Sequence, residues 1–560
     1  MTSREINKKY GIQYFTAPDS SSEWLTQEPL SKPPIWCSVD LRDGNQALAS
    51  PMELSAKIRF FQLLVSLGFK EIEIGFPAAN DTEFTFCRKL IDEDLIPDDV
   101  TVQVLTQART HIVEKTFAAI EGAKHVIVHL YTPTSVAHRE QVFHASKDDI
   151  LNLAVHGAKI CEAARLSSTD PNAIRFEFSP EGFSATEPDY ARSVCQAVCD
   201  IWKPSKERPV VINLPSTVEV SLPHIYANQI AYLRKNLMPQ DGICISVHPH
   251  NDRGCAVASA EYALMAGADR IEGTLFGNGE RSGNVDLIIL ALNFYSQGID
   301  PKLDMSRLSE LTSNFEELTG MPIYARQPYS GELVYAAFSG SHQDAIAKSF
   351  AYRETHPEHI WDVPYLPVDP NDFGRIYETD IIRINSQSGK GGIVYILRTQ
   401  YGLDLPRDMH LYFSQMVKLY SDRMKTELQS SQVYDIFLGE LVNLSSPVFV
   451  KEMHFRQEKG ITAELKVSYQ EKESEIIGRG NGRLDAVSNA LKTMLQLPYT
   501  LHTYTEHALA DGSGAKAVSY VELRLNDRTE WGVGLHTDIV TSSIYALLSA
   551  INRLLQSIEM

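Results

Sequence analysis

Positive charge is what the chain has too little of. Its 52 Lys and Arg stand against 71 Asp and Glu, a formal net charge of −19. That balance argues against nucleic acid or an anionic membrane as the main partner. An anionic substrate would need a local positive centre, either a metal ion or an Arg. Cysteine is also scarce: seven, an odd number, scattered over 560 residues. No disulfide framework follows from that, and a reducing compartment does. Cys195 and Cys199, four apart in a helical stretch, read as small core residues rather than a metal pair. No apolar run is long enough to span a bilayer. The polar start, Met1 to Tyr10, gives no apolar signal region, so a cytoplasmic protein is expected. No Gly-rich dinucleotide fingerprint follows the first predicted strand, which argues against an open nucleotide-binding sheet.

What is present is a rhythm. Short apolar runs recur at Ile35 to Val39, Glu71 to Phe76, Thr101 to Leu105, His125 to Tyr131, Ile174 to Phe178, Val210 to Leu214, Ile243 to Val247 and Arg270 to Leu275. Helical periodicity fills the gaps, as in Ser55 to Leu67 and Ala256 to Ala266. Eight strand–helix units over these residues predict an α/β fold, a closed (β/α)8 TIM barrel. The chain is too long for one core. The expected plan is a polar N-terminal arm or linker over 1–34; a catalytic barrel over 35–300; small helical linker subdomains over 301–430; and an α+β domain over 431–560. The arm is a candidate to pack on a partner subunit. The last domain carries an internal repeat. Glu464 to Val467, a second strand into Gly478 to Gly482 and a helix through Leu495 form one strand–strand–helix copy. Glu522 to Leu525, a strand into Gly532 to Gly534 and a helix through Leu555 form the other. A glycine-lined corner at a helix start suits a small ligand or a tight turn.

Polar residues gather where the barrel strands end, on the rim where such folds keep their chemistry. In Ser246-Val247-His248-Pro249-His250-Asn251-Asp252, residues two apart share a strand face, so His248 and His250 project together. With Asp43 and the amide oxygen of Asn284 they make a mixed nitrogen and oxygen set without thiolate. That set suits Mg²⁺, Mn²⁺ or Zn²⁺ with open positions. A 2-oxo acid would chelate such an ion, and its carbonyl would be polarised. Arg42 would stabilise an alkoxide, against the alternative of a salt bridge at the rim. Thr217 would bind the substrate carboxylate or cap a helix. Glu181 and His129 would line the pocket, move a proton, or be buried hydrogen-bonded groups.

These segments resemble the 2-isopropylmalate synthase family, the longer of its two sequence groups, within the DRE-TIM metallolyase superfamily. The resemblance rests on Val39 to Leu48, Glu73 to Pro77, Asn213 to Glu219, His248 to Gly254, Gly277 to Asp286, Ser339 to Asp344 and Asn385 to Gly392, and it spans nearly the whole chain. It implies a Claisen condensation of acetyl-CoA with 3-methyl-2-oxobutanoate, giving (2S)-2-isopropylmalate and CoA on the way to leucine. It implies Asp43, His248 and His250 as metal ligands with Asn284 beside them, Arg42 at the oxyanion, and Thr217 at the carboxylate. Glu181 and His129 match pocket residues. His342 and Tyr365 match subdomain residues that reach an active site, and His342 or Glu181 is the candidate base. The duplicated unit looks like a leucine-sensing regulatory domain, with Gly480 and Gly482 near the effector. Asp485 stands where the family has a small residue. A homodimer is implied. The rival readings are a sister synthase making homocitrate or citramalate, an aldolase or lyase on the same barrel, and a leucine sensor without catalysis.

Overall fold

The computed structural model describes residues 9, 11–18, 23–26, 30–335, 340–375, 377, 390–424, 428, 430–470, 472–509 and 514–559. Two compact units divide the chain: Met1–Val334 with Pro370–Arg375, and Tyr335–Asp369 with Ile376–Met560.

The first unit is the barrel. Its strands are β1 (Ile35–Ser38), β2 (Glu71–Gly75), β3 (Thr101–Gln107), β4 (Val126–Pro133), β5 (Ile174–Glu181), β6 (Val210–Ser216), β7 (Ile243–Pro249) and β8 (Arg270–Gly273). They run parallel and close in sequence order. Closure is made by β8 on β1, from Ile35 opposite Arg270 to Ser38 opposite Gly273. Helices return the chain between strands: α1 (Leu54–Leu67), α2 (Asp81–Asp92), α3 (Thr110–Ile120), α4 (Lys147–Leu166), α5 (Pro188–Trp202), α6 (Pro223–Asn236) and α7 (Ala256–Met265). Their local signals are plain. Asn80 caps α2 by accepting from the Glu83 N–H, and Ser146 with Asp149 forms a capping box on α4. Cys195 and Cys199 are both buried on α5 and belong to the core.

The strand alternation hides a charged interior. In β2, Ile72 and Ile74 alternate with Glu71 and Glu73, and all four are buried. Gln103 on β3 donates to Glu272 on β8 at 2.8 Å. Those strands are not neighbours in the ring, so the bond crosses the barrel lumen. Arg270, fully buried, fills the same space. It donates to Glu71 (2.6 Å), Ser246 (2.9 Å), Glu272 (3.0 Å) and Gln103 (2.7 Å), and lies 3.2 Å from Glu177. Burial opposes the charge on Glu71, but Arg270 and Arg175 hold its carboxyl below the usual range. Glu177 goes the other way: burial and then the Glu272 charge push it up.

Asp40, at the end of β1, is a separate buried carboxyl. Burial pushes it up to about 7, although the Ser38 hydroxyl and the Leu275 N–H both donate to it. A group raised on folding holds its proton in the native state longer than in the unfolded one. Its stabilising share is complete below the unfolded value and fades as pH rises through the folded value. For a swing from ~3.9 to ~7 that is about 4 kcal/mol. Asp40→Asn should flatten this slope and be more stable than the parent above about pH 7. Denaturation midpoints measured across that range check it.

The arm does not wait for a partner. Trp24 is buried, its indole N–H donates to Asn228 on α6 at 2.8 Å, and its ring lies against Tyr262 of α7. Gln229 donates to the Phe15 carbonyl at 2.8 Å. The described arm residues therefore pack on their own barrel, because an apolar indole and a free carbonyl find partners on α6 and α7. After β8 the unit ends in α8 (Leu287–Ser296) and α9 (Leu308–Thr319).

The second unit opens with four helices, α10 (Gly340–Thr355), α11 (Lys390–Tyr401), α12 (Met409–Met424) and α13 (Ser430–Leu441). Two antiparallel sheets follow. β9 (Val448–Glu458), β10 (Gly460–Tyr469) and β11 (Lys472–Gly480) form one and lead into α14 (Arg483–Leu495). β12 (Thr500–Ala508), β13 (Ala517–Leu525) and β14 (Arg528–His536) form the other and lead into α15 (Ile539–Glu559). Each copy thus has a strand more than the strand–strand–helix pattern predicts. β12 escapes notice because most of its residues are exposed, leaving no apolar face to read.

The two copies bury their sheets differently. In β10, Ala463, Leu465 and Val467 are buried on one face only. β13 is buried on both: Val521 and Leu523 join the core beneath α14 and α15, while Val518 and Tyr520 join Phe413, Phe437 and Trp531 under α11 to α13. Glycine lets the helices approach. A Cβ on Gly534 would sit 1.8 Å from the Ser542 carbonyl oxygen, and one on Gly480 2.4 Å from the Ala486 nitrogen. Gly480 therefore serves close helix–strand packing rather than a turn. Gly482 stands before α14 in extended backbone with open space around it. Asp485 accepts from the Asn481 N–H at 2.9 Å, folding its carboxylate back over the glycine corner before the helix.

Candidate active site

A wide helical turn, Asp40–Gly44, follows β1. The N–H groups of Arg42, Asp43 and Gly44 all converge on the Val39 carbonyl at 2.9–3.2 Å. The turn aims two successive side chains into the barrel mouth. Arg42 donates from Nε to Glu73 at 2.5 Å and from Nη1 to Asp43 at 2.6 Å. It is thus both paired at the rim and exposed to the cavity. The loop after β8, the strand that closes on β1, brings Asn284 in beside Asp43. Its fold needs glycine at 283, where φ is +87° and a Cβ would meet the Gly277 carbonyl oxygen at 1.8 Å.

His248 and His250 sit at the end of β7 with ring centroids 5.3 Å apart. Their Nε2 atoms lie 3.7 and 3.8 Å from Asp43 Oδ2. Two atoms each ~2.1 Å from one ion are ~3.0–3.4 Å apart, so the three groups are close to ligand spacing. Asn284 donates to Asp43 Oδ2 at 2.8 Å, and its Oδ1 lies 2.8 Å from His248 Nε2. His250 Nδ1 is buried and has no hydrogen-bond partner among the described residues. Burial works against the Asp43 charge, but Arg42 and His248 hold its carboxyl well below the usual range. Burial also opposes charge on His248, yet Asp43 and Glu272 carry it up to about 9. Burial and the neighbouring His248 charge push His250 down to about 4. One proton on His248 thus balances Asp43. A divalent cation would take over that role, which is the donor set and charge such an ion requires.

Over the cluster lies a cavity of about 220 Å³, walled by Leu105, His129, Tyr131, Glu181, Pro215, Thr217 and Arg281 among others. Its size suits a small substrate. A larger cavity, about 750 Å³, lies at the opposite end of the barrel among Lys32, Pro33, Arg234 and Asp269. No ligand cluster borders it among the described residues, so chemistry rather than volume marks the site. His129 is buried, with Nδ1 2.8 Å from Glu73 and Nε2 2.8 Å from Ser179. Glu181 ends β5, and burial pushes its carboxyl up against the opposing charges of His138 and Arg42. Thr217 accepts from the Gly182 N–H at 2.9 Å. It caps no helix, because α6 starts at Pro223 behind Leu222.

One place therefore gathers Arg42, Asp43, His129, Glu181, Thr217, His248, His250 and Asn284. His342 and Tyr365 belong to the second unit, where their rings stack 3.9 Å apart. Gly480 and Gly482 lie at the start of α14. Sequence reading passed over Glu73, Gln103, Glu177, Arg270 and Glu272, which hold the site from below. Charge at alternate positions of strands predicted to form a closed barrel was the signal for them.

Family profiles match the chain in sequence: HMGL-like over 33–314, alpha-isopropylmalate synthase post-catalytic domain-like over 332–398, and LeuA allosteric (dimerisation) domain over 427–555. The 2-isopropylmalate synthase of Helicobacter hepaticus is 54% identical over 556 residues, 98% of this chain and 99% of that one. The 2-isopropylmalate synthase of Desulfitobacterium hafniense is 51% identical, covering 98% of each chain. That of Clostridium acetobutylicum is 48% identical over 98% of this chain and 99% of its own. With a closed barrel, a metal-ready rim and likeness of this extent from end to end, the chain belongs to the 2-isopropylmalate synthase family.

Proposed function

We propose that the chain is an acyltransferase that joins acetyl-CoA to 3-methyl-2-oxobutanoate and, with water, releases (2S)-2-isopropylmalate and CoA. The observation that carries the reading is the convergence of Asp43, His248 and His250, from β1 and β7, on one small cavity. These residues, with Asn284, would hold a divalent cation, Mg²⁺ first and Mn²⁺ or Zn²⁺ as alternatives. Bound there, the ion supplies Lewis-acid polarisation of a keto group.

The chain's own groups do the rest. Arg42, steadied by Glu73, offers its guanidinium to the oxygen that gains negative charge as the carbon–carbon bond forms. Thr217 uses its lone pair on Gly182 and keeps its hydroxyl hydrogen for the substrate carboxylate. Leu105 and Pro215 give the branched side chain apolar wall. The methyl proton of acetyl-CoA passes to a base, Glu181 or His342. Burial raises the Glu181 carboxyl above its usual range, which favours its proton-bound form. The methyl carbon then bonds the keto carbon, and water splits the thioester into a carboxylate and the CoA thiol. His129 orders the wall, and Tyr365 accompanies His342.

The duplicated C-terminal unit would bind leucine near Gly480 and Gly482 and join two chains in a homodimer in the cytoplasm. The domain plan is an arm to 34, a catalytic barrel to 300, linkers to 430 and a regulatory domain beyond. Thiol release over a panel of 2-oxo acids, with and without chelator and leucine, tests this. Turnover should favour 3-methyl-2-oxobutanoate, vanish on chelation and fall with leucine. Preference for a dicarboxylic keto acid, or full turnover without metal, would overturn it.

A further inference from the structure

The two imidazoles of the metal-ready cluster are supported unequally. His248 Nδ1 lies 2.8 Å from Glu272 Oε2, whereas His250 Nδ1 is buried without a partner among the described residues. Glu272 is fully buried on β8. Its carboxylate is fixed by three further donors: Gln103 at 2.8 Å, Asn213 at 3.0 Å and Arg270 at 3.0 Å. Those donors come from β3, β6 and β8, so the carboxylate is tied to distant parts of the ring and cannot swing. A fixed carboxylate that accepts from Nδ1–H sets the imidazole's tautomer and ring angle, and makes Nε2 the more basic donor.

We propose that Glu272 is a positioning residue that aims His248 Nε2 at the divalent cation and strengthens it as a ligand, leaving His250 as the weaker one. The proposal rests on the reading of Asp43, His248 and His250 as ligands. It adds that the affinity of the site is set from inside the barrel, by a residue that touches neither ion nor substrate.

The test uses the full-length protein stripped of metal, with Mn²⁺ as probe and no substrate, followed by electron paramagnetic resonance. Glu272→Gln keeps the volume and removes the charge. Glu272→Asp keeps the charge but is one methylene shorter, which draws the carboxylate back from His248. Both should weaken Mn²⁺ binding by about 10- to 100-fold. Glu71→Gln disturbs the same buried network through Arg270 without touching Glu272 or His248, and should leave Mn²⁺ affinity within about threefold of the parent. Unchanged affinity in either folded Glu272 variant would overturn the proposal, and so would equal weakening in Glu71→Gln. If the parent itself failed to bind Mn²⁺, the ligand assignment would fall instead.

Discussion

Asp43→Ala should abolish CoA release, lowering kcat/KM by at least about 10³-fold, while the barrel stays folded. Asp43 is the sole carboxylate in the Asp43, His248 and His250 cluster that could hold a metal ion. Without it, two imidazoles remain with nothing to balance a divalent charge. Lewis-acid stabilisation of developing negative charge is worth several kcal/mol, and about 4 kcal/mol is about 10³ in rate. Arg42 also loses its 2.6 Å partner and stays tied only to Glu73, so its aim loosens. Arg42 keeps its Glu73 partner, so its charge is not stranded and the variant should stay folded. His248→Ala should behave alike. Steady-state thiol release, with Mn²⁺ binding alongside, measures the loss. A variant that keeps a tenth of the parent's kcat/KM without metal would sink the assignment.

Arg270→Met should be the most damaging substitution in the barrel interior. One guanidinium lies within bonding or ion-pair distance of Glu71, Glu177 and Glu272. Removing one partner of a buried pair typically costs about 3–5 kcal/mol, because the remaining charge is left uncompensated. Against a total of about 5–15 kcal/mol that is a large share. The sign of the pH effect is a second check. In the parent, Arg270 holds Glu71 and Glu272 low, so their support is present above the unfolded values and is lost only as pH falls through the folded ones. In the variant the stranded carboxyls titrate higher, and their penalty shrinks as they take up protons. The stability gap should therefore narrow from about pH 7 toward about pH 5, as urea midpoints would record. A constant gap would contradict the account.

The cluster of Asp43, His248 and His250 was legible in the sequence because each stands at or just after a strand end in a repeating pattern. His248 and His250, two apart after an apolar run, have one geometric meaning. Asp43 stands in the matching place after the first run. Glu73 and Glu272 were illegible for the opposite reason. In Glu71 to Gly75 the alternation of acid and isoleucine looks like a solvent-facing strand, and only closure of the ring turns the polar side inward. The helix cap offered as the alternative for Thr217 is not made, because the chain runs on to Leu222 before α6 begins. The arm, read as a linker or a candidate to pack on a partner, has Trp24 and Phe15 against its own barrel, because one indole among polar residues gives little apolar pattern to read. In the second unit, β10 showed itself by one buried face, whereas β12 offered none.

Closure of the ring has a consequence for how the protein is born. The ligand groups come from the segment after β1, the end of β7 and the loop after β8, and β8 seals against β1. More than two hundred residues separate Asp43 from His248 along the chain. Such distant pairings form late, after the loop-closure cost of the intervening chain has been met. A ribosome-bound fragment ending before β8 would therefore have no grip on a cation. The moment at which the nascent chain begins to retain metal should mark the moment its circle is complete.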